Sequence, residues 1–116
     1  MKLFLTAAGK SMGDKIDPSF GRCNYFLIYE TEDDSHEYIE NPYQDAQANV
    51  STMVAQAAID YGCCAAIAVN PGPRAFQLFK EHDIEIFKAD EGIKLRELVS
   101  KFSKNELTPI ADYIIL

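Results

Sequence analysis

Two short segments concentrate the residue types suited to holding a small anion. One is Phe20-Gly21-Arg22-Cys23, with Lys10 and Lys15 upstream in the same polar stretch. The other is Asn70-Pro71-Gly72-Pro73-Arg74, with Lys88 further on. Arginine carries a permanent charge on a fork of N–H donors that matches oxyanions. Pro73 suits the first turn of a helix, whose unpaired N–H groups attract negative charge. Gly21 and Gly72 permit a ligand to approach the backbone closely. Five of the chain's eleven basic residues, Lys10, Lys15, Arg22, Arg74 and Lys88, fall on these and neighbouring loops. The plain alternative is that the charges only solvate loops, which are polar as a rule.

Other chemistry has less support. Cys23 as a nucleophile needs a nearby base, and the two histidines, His36 and His82, lie outside these loops. We read both as surface residues, His82 at a helix C-terminus where positive charge is favoured. The three cysteines form no Cys-x-x-Cys zinc pattern and no disulfide framework. Cys63 and Cys64 are adjacent at a strand start, so their side chains point to opposite faces and suit packing better than joint ligation. A two-metal nuclease needs carboxylates at the sheet centre. The first and fourth strands contain none.

The elements that position these residues follow from hydrophobic period. Lys2–Ala8, Tyr25–Tyr29 and His36–Glu40 read as strands, the last two joined by the polar turn Glu32-Asp33-Asp34-Ser35. From about Ala46 to Tyr61, Val50, Met53, Val54, Ala57, Ala58 and Tyr61 recur at helical spacing, and Gly62 provides the stop. Cys63–Val69 is a buried strand, Pro73–Glu81 a helix, and Ile84–Phe87 the fifth strand. A last helix starts at Asp90 or Glu91, with Leu95, Leu98, Val99 and Phe102 as its inner stripe. The segment from Asn105 ends in apolar Tyr113-Ile114-Ile115-Leu116, suited to core packing or a further short strand.

This β-β-β-α-β-α-β-α pattern predicts an α/β fold of ribonuclease H-like architecture. Its five-stranded mixed sheet has the order 3-2-1-4-5, with strand 2 antiparallel and three helices, since helical crossovers are right-handed and join parallel strands. Ligands bind such sheets beyond the carboxyl ends of the parallel strands, where the order switches direction. Here that is between strands one and four. Loops 9–24, 41–49, 70–74 and 88–91 converge there, and Cys23 is expected at the rim.

Length and composition bound the function. The chain has 116 residues, 47% hydrophobic and 25% charged, as in one ordinary folded domain. We place that domain at 1–107 and a C-terminal tail at 108–116. A net charge of −7 argues against nucleic-acid binding, which needs a basic surface. No apolar run reaches the ~18 residues of a membrane span. The apolar start at Met1–Ala8 is too short for a secretory core and is interrupted by Gly9-Lys10, so a cytoplasmic protein is expected.

Several segments together resemble the dinitrogenase iron-molybdenum cofactor biosynthesis family in its single-domain, free-standing form. They are Asp17-Pro18-Ser19-Phe20-Gly21-Arg22 followed by Tyr25–Tyr29, then Asn41-Pro42, then Asn70-x-Gly72-Pro73-Arg74-Ala75-Phe76, and Ile84–Phe87. The resemblance runs from about Lys2 to Leu107. It implies a ribonuclease H-like fold without catalysis, nitrogen fixation-related in some relatives. Some carry the iron-molybdenum cofactor or its iron-sulfur precursor, and others a molybdenum-copper sulfide cluster. Such ligands are anionic and sulfur-rich, and a rim of Lys, Arg and backbone N–H groups suits them.

Two departures stand out. Many nitrogenase-linked members have histidine directly before Phe-Gly, where this chain has Ser19. The glycine-rich opening of the first helix is replaced by Gln44-Asp45-Ala46-Gln47-Ala48-Asn49. Cys23 is then the soft metal ligand offered in place of histidine.

The expected function is a non-enzymatic binding or carrier protein for an anionic metal-sulfur cluster, an iron-sulfur or molybdenum-containing one. Its site is Lys10, Phe20, Gly21, Arg22, Cys23, Gly72 and Arg74. The alternatives are a protein-interaction module without its own ligand, docking on a cluster-assembly or electron-transfer protein, and a small phosphate- or nucleotide-binding protein.

Overall fold

The computed structural model describes residues 1–111. Strands β1 (Lys2–Ala7), β2 (Tyr25–Glu30) and β3 (His36–Glu40) are followed by helix α1 (Val50–Asp60), strand β4 (Ala65–Ala68), helix α2 (Pro73–Glu81), strand β5 (Glu85–Lys88) and helix α3 (Leu95–Ser103). The sheet order is β3-β2-β1-β4-β5. β2 runs antiparallel to both neighbours, whereas β1–β4 and β4–β5 are parallel. That is the order and polarity expected from the hydrophobic runs and crossover rules.

Alternation along the central strands splits the core in two. Phe4, Phe26, Ile28, Ala66 and Ile86 face one side, where they meet Val54, Ala55 and Ala58 of α1 and Phe76 and Phe79 of α2. Leu3, Leu5, Leu27 and Ile67 face the other, where they meet Leu95, Leu98 and Val99 of α3. Strands buried on both faces read as continuous apolar runs rather than alternating ones.

Several element boundaries differ from the sequence reading. α1 begins at Val50, not near Ala46, because Asn49 adopts a left-handed conformation with φ 61°. β4 is shorter than Cys63–Val69. Gly62 occupies φ 80°, as a glycine stop does, and Cys63 still bonds back to Ala58. α3 starts at Leu95 rather than Asp90 or Glu91, because Gly92 has φ 83° and Lys94 is extended. The carbonyls of Asp14 and Met12 then accept from Leu95 N–H and Arg96 N–H, both at 2.9 Å. The start of the tail runs along β5: Lys88 N–H donates to Thr108 O, and Ile110 N–H to Ile86 O. The apolar Tyr113-Ile114-Ile115-Leu116 lies outside the described residues. No helix among the described residues is long and apolar enough to cross a membrane.

Candidate functional site

The long loop after β1 is pinned at its neck. Thr6 Oγ1 donates to Asp17 O at 2.8 Å, and Asp17 N–H returns a bond to Thr6 O. The Asp17 carboxylate accepts from Ser19 N–H at 3.0 Å and Asn24 N–H at 3.2 Å. This Asx-type bonding folds the loop back on itself. It sends Phe20 inward, between Phe4 and Phe79, with ring centroids at 6.0 and 5.9 Å.

Asn41 holds the next turn in place. Its side chain is buried, and its Nδ2 donates to Gly21 O at 3.0 Å and Cys23 O at 2.9 Å. Its Oδ1 accepts from Tyr43 N–H at 2.9 Å. Two carbonyls and one N–H around the amide determine which way it faces. Loop 41–49 is thereby tied to the Phe20-Gly21-Arg22 turn.

Both predicted glycine turns meet the start of α1. A Cβ on Gly21 would stand 2.6 Å from Val50 Cγ2 and 3.0 Å from Ser51 N, so only glycine allows this approach. From the other side, Arg74 Nη1 donates to Asn49 Oδ1 at 3.0 Å. Asn49, left-handed rather than extended, makes no side-chain cap, and α2 is likewise uncapped behind Gly72, whose φ is 82°. Neither helix has an acidic residue in its first turn. Two helices, following the carboxyl ends of β3 and β4, therefore point their positive ends to one pole, near Arg22 and Arg74.

Arg22 does a different task from the one expected of it. Its guanidinium donates to Gln44 O at 2.5 Å and Ala46 O at 3.0 Å, and so clamps the loop before α1. Phe20 is core, with 4% of its surface exposed. The expectation that Cys23 lies at the rim is corrected: it is fully buried among the apolar side chains between the sheet and α1. Burial, helped by Asp17, pushes its thiol up from 9.0 to about 12 against an opposing Asn41 hydrogen bond. A neutral, enclosed thiol is a poor metal ligand, because metals bind the thiolate.

Lys10 is on the other side of the sheet from Phe20. Its ammonium stands 5.7 Å from the centre of the Tyr25 ring, and Tyr25 packs with the α3 core. Lys15 pairs by backbone with Lys94, and Lys88 Nζ is bonded to Val69 O at 2.7 Å. Among the described residues, no three His, Cys, Asp or Glu side chains are grouped to hold a metal ion. Of the predicted set, the structure thus brings together Gly21, Arg22, Gly72 and Arg74. It adds Asn41, Asn49 and Ser51, which sequence reasoning missed. The signal available was Asn49-Val50-Ser51, since asparagine tolerates the left-handed conformation and so marks an interruption before the helix.

A family model described as dinitrogenase iron-molybdenum cofactor matches residues 1–105. An uncharacterized protein of Methanocaldococcus jannaschii is 37% identical over 90 residues, 71% of this chain and 76% of that one. The apo form of the orange protein from Desulfovibrio gigas superposes with a TM-score of 0.89 at 25% identity, covering 95% of this chain and 92% of that one. A Thermotoga structure, described as a candidate NifB protein of the DUF35 family, has a TM-score of 0.82 at 26% identity, with 98% and 97% covered.

Proposed function

The chain belongs to the dinitrogenase iron-molybdenum cofactor family, and on that premise we propose that it is a non-enzymatic carrier for an anionic metal-sulfur cluster. The site is the pole where α1 and α2 begin. The observation that carries this reading is that Gly21 abuts Ser51 in the first turn of α1 and Arg74 bonds Asn49, the residue just before it. The two cationic turns are therefore side by side. Helix N-termini and arginine attract negative charge without any covalent bond to it.

The donor set decides which kind of cluster fits. With Cys23 buried and histidine absent from these loops, the pole offers no thiolate or imidazole to complete a metal's coordination. It suits a cluster that brings its own sulfide ligands and needs only hydrogen-bond donors and positive charge around it. We read the sheet as the ribonuclease H-like arrangement. β1 and β4 contribute no carboxylate to it, which speaks against a nuclease.

Anaerobic titration with tetrathiomolybdate, with and without copper(I), tests the proposal through visible absorbance. Saturable spectral change is expected, weakened about tenfold or more by Arg74→Ala, as for loss of one charge-assisted contact. No spectral change, or equal binding by Arg74→Ala and Arg22→Ala, refutes it. Phosphate is the second reading, because paired helix N-termini suit it equally on charge. A rise in melting temperature with nucleotides but not thiomolybdate would favour it.

A further inference from the structure

The sheet ends at β3, and the outer edge of that strand is open. Ser35 O accepts from Glu30 N–H, and Asn41 N–H donates to Asn24 O. Residues 35 and 41 therefore turn their backbone groups toward the β2 side. Direction alternates residue by residue, so the N–H and C=O of His36, Tyr38 and Glu40 point outward. Among the described residues, no backbone partner meets them.

Beside this edge runs an apolar trough. α1 packs over the centre of the sheet and leaves a gap toward β3 of about 210 Å³, lined by Phe26, Ile39, Pro42, Tyr43, Ala57 and Tyr61. Met53 and Tyr61, 37% and 39% exposed, are two of the three exposed large apolar side chains among the described residues. Together with Ala57 they form an i, i+4, i+8 stripe on one side of the helix. The rim is acidic. Glu37 is on the same sheet face as Ile39, Asp60 borders the trough, and Glu40 projects on the opposite face.

We propose that this edge accepts an extended, basic segment of a partner protein as a sixth strand. Its apolar side chains would enter the trough, and its alternating Lys or Arg would meet Glu40 on the opposite face. Backbone pairing supplies affinity in such strand addition, and the pockets and charges supply specificity. A second copy is the poorer occupant, because it sets two acidic edges of chains of net charge −7 against each other. The inference does not rest on the ligand of the anion pole.

The test uses the full chain and a synthetic peptide alternating Lys with Val and Ile, with a control carrying Glu for Lys. Amide exchange at His36, Tyr38 and Glu40 is expected to slow about tenfold or more with the basic peptide alone. Ala57→Arg and Glu40→Lys should each weaken binding about tenfold. Glu40 is exposed, so its variant tests the charge even if Ala57→Arg misfolds. Three results overturn the proposal. One is no protection at millimolar peptide, one is equal binding by the acidic control, and one is protection of these amides without peptide in a sedimenting dimer.

Discussion

Replacing Asn41 by Ala tests whether one buried amide holds the site together. The side chain satisfies Gly21 O, Cys23 O and Tyr43 N–H. Gly21 and Cys23 are buried, so water does not readily take over their bonds, whereas half-buried Tyr43 can regain water. Each buried group left unsatisfied costs about 1–3 kcal/mol. Two such carbonyls, with partial relaxation, make the expected loss roughly 2–4 kcal/mol. Against a typical total of about 5–15 kcal/mol, that is a large fraction. It corresponds to a fall in melting temperature on the order of 10 °C. Urea unfolding at neutral pH, followed by far-ultraviolet circular dichroism, measures it. Asn41→Asp separates the donors from the acceptor. It keeps an oxygen for Tyr43 N–H but sets a carboxylate against two carbonyls, so it should be worse than Ala at pH 7 and recover as pH falls. Asn24→Ala, at an exposed amide, is the control and should cost under about 1 kcal/mol. A loss below about 1 kcal/mol for Asn41→Ala, with unchanged denaturant dependence, refutes the reasoning.

Other outcomes follow from the same geometry. Cys23 and Cys63 are buried and Cys64 is exposed, so a thiol reagent should modify Cys64 alone in the native protein and all three after denaturation. The Cys23 and Cys63 thiols, pushed from 9.0 to about 12 by burial, stay neutral when folded but ionise when unfolded. Stability should therefore hold below about pH 9 and fall toward pH 12, by up to about 1.4 kcal/mol per pH unit for each thiol. A flat urea midpoint from pH 8 to pH 10.5 contradicts this, and Cys23→Ala should shallow the slope. Gly21→Ala should destabilise by about 1–3 kcal/mol, since its methyl overlaps Val50 and crowds Ser51. The shifts in amide resonances should centre on the first turn of α1. A neutral effect on both stability and spectrum would show that the two segments do not touch.

Much of the fold was readable from pattern because apolar period reports burial directly. The runs in β1, β2 and β4 are nearly unbroken, and the structure buries them on both faces. Boundaries were harder, because a loop can end a helix from far away in sequence. Ala46–Asn49 contains no Gly or Pro and continues helically by composition. Arg22 captures the carbonyls of Gln44 and Ala46, and Asn49 turns left-handed. α3 similarly takes its start from Asp14 and Met12, some eighty residues earlier. The site was half readable for a related reason: residue type marks a capacity, not a partner. Arg22 and Arg74 look alike in sequence. Yet Arg22 is committed to two carbonyls, and Arg74 to a single side-chain oxygen.

By itself the sequence determined the strand order and the apolar runs and helix stripes that build the core. These depend on periodicity, chain direction and crossover handedness, which are local or topological properties. Only the tertiary structure decided that Cys23 faces inward, that Lys10 lies across the sheet from Phe20, and that Asn41 joins two loops. Those outcomes depend on which way single side chains turn once distant segments pack, and hydrogen-bond partners twenty or more residues apart leave no period in the chain.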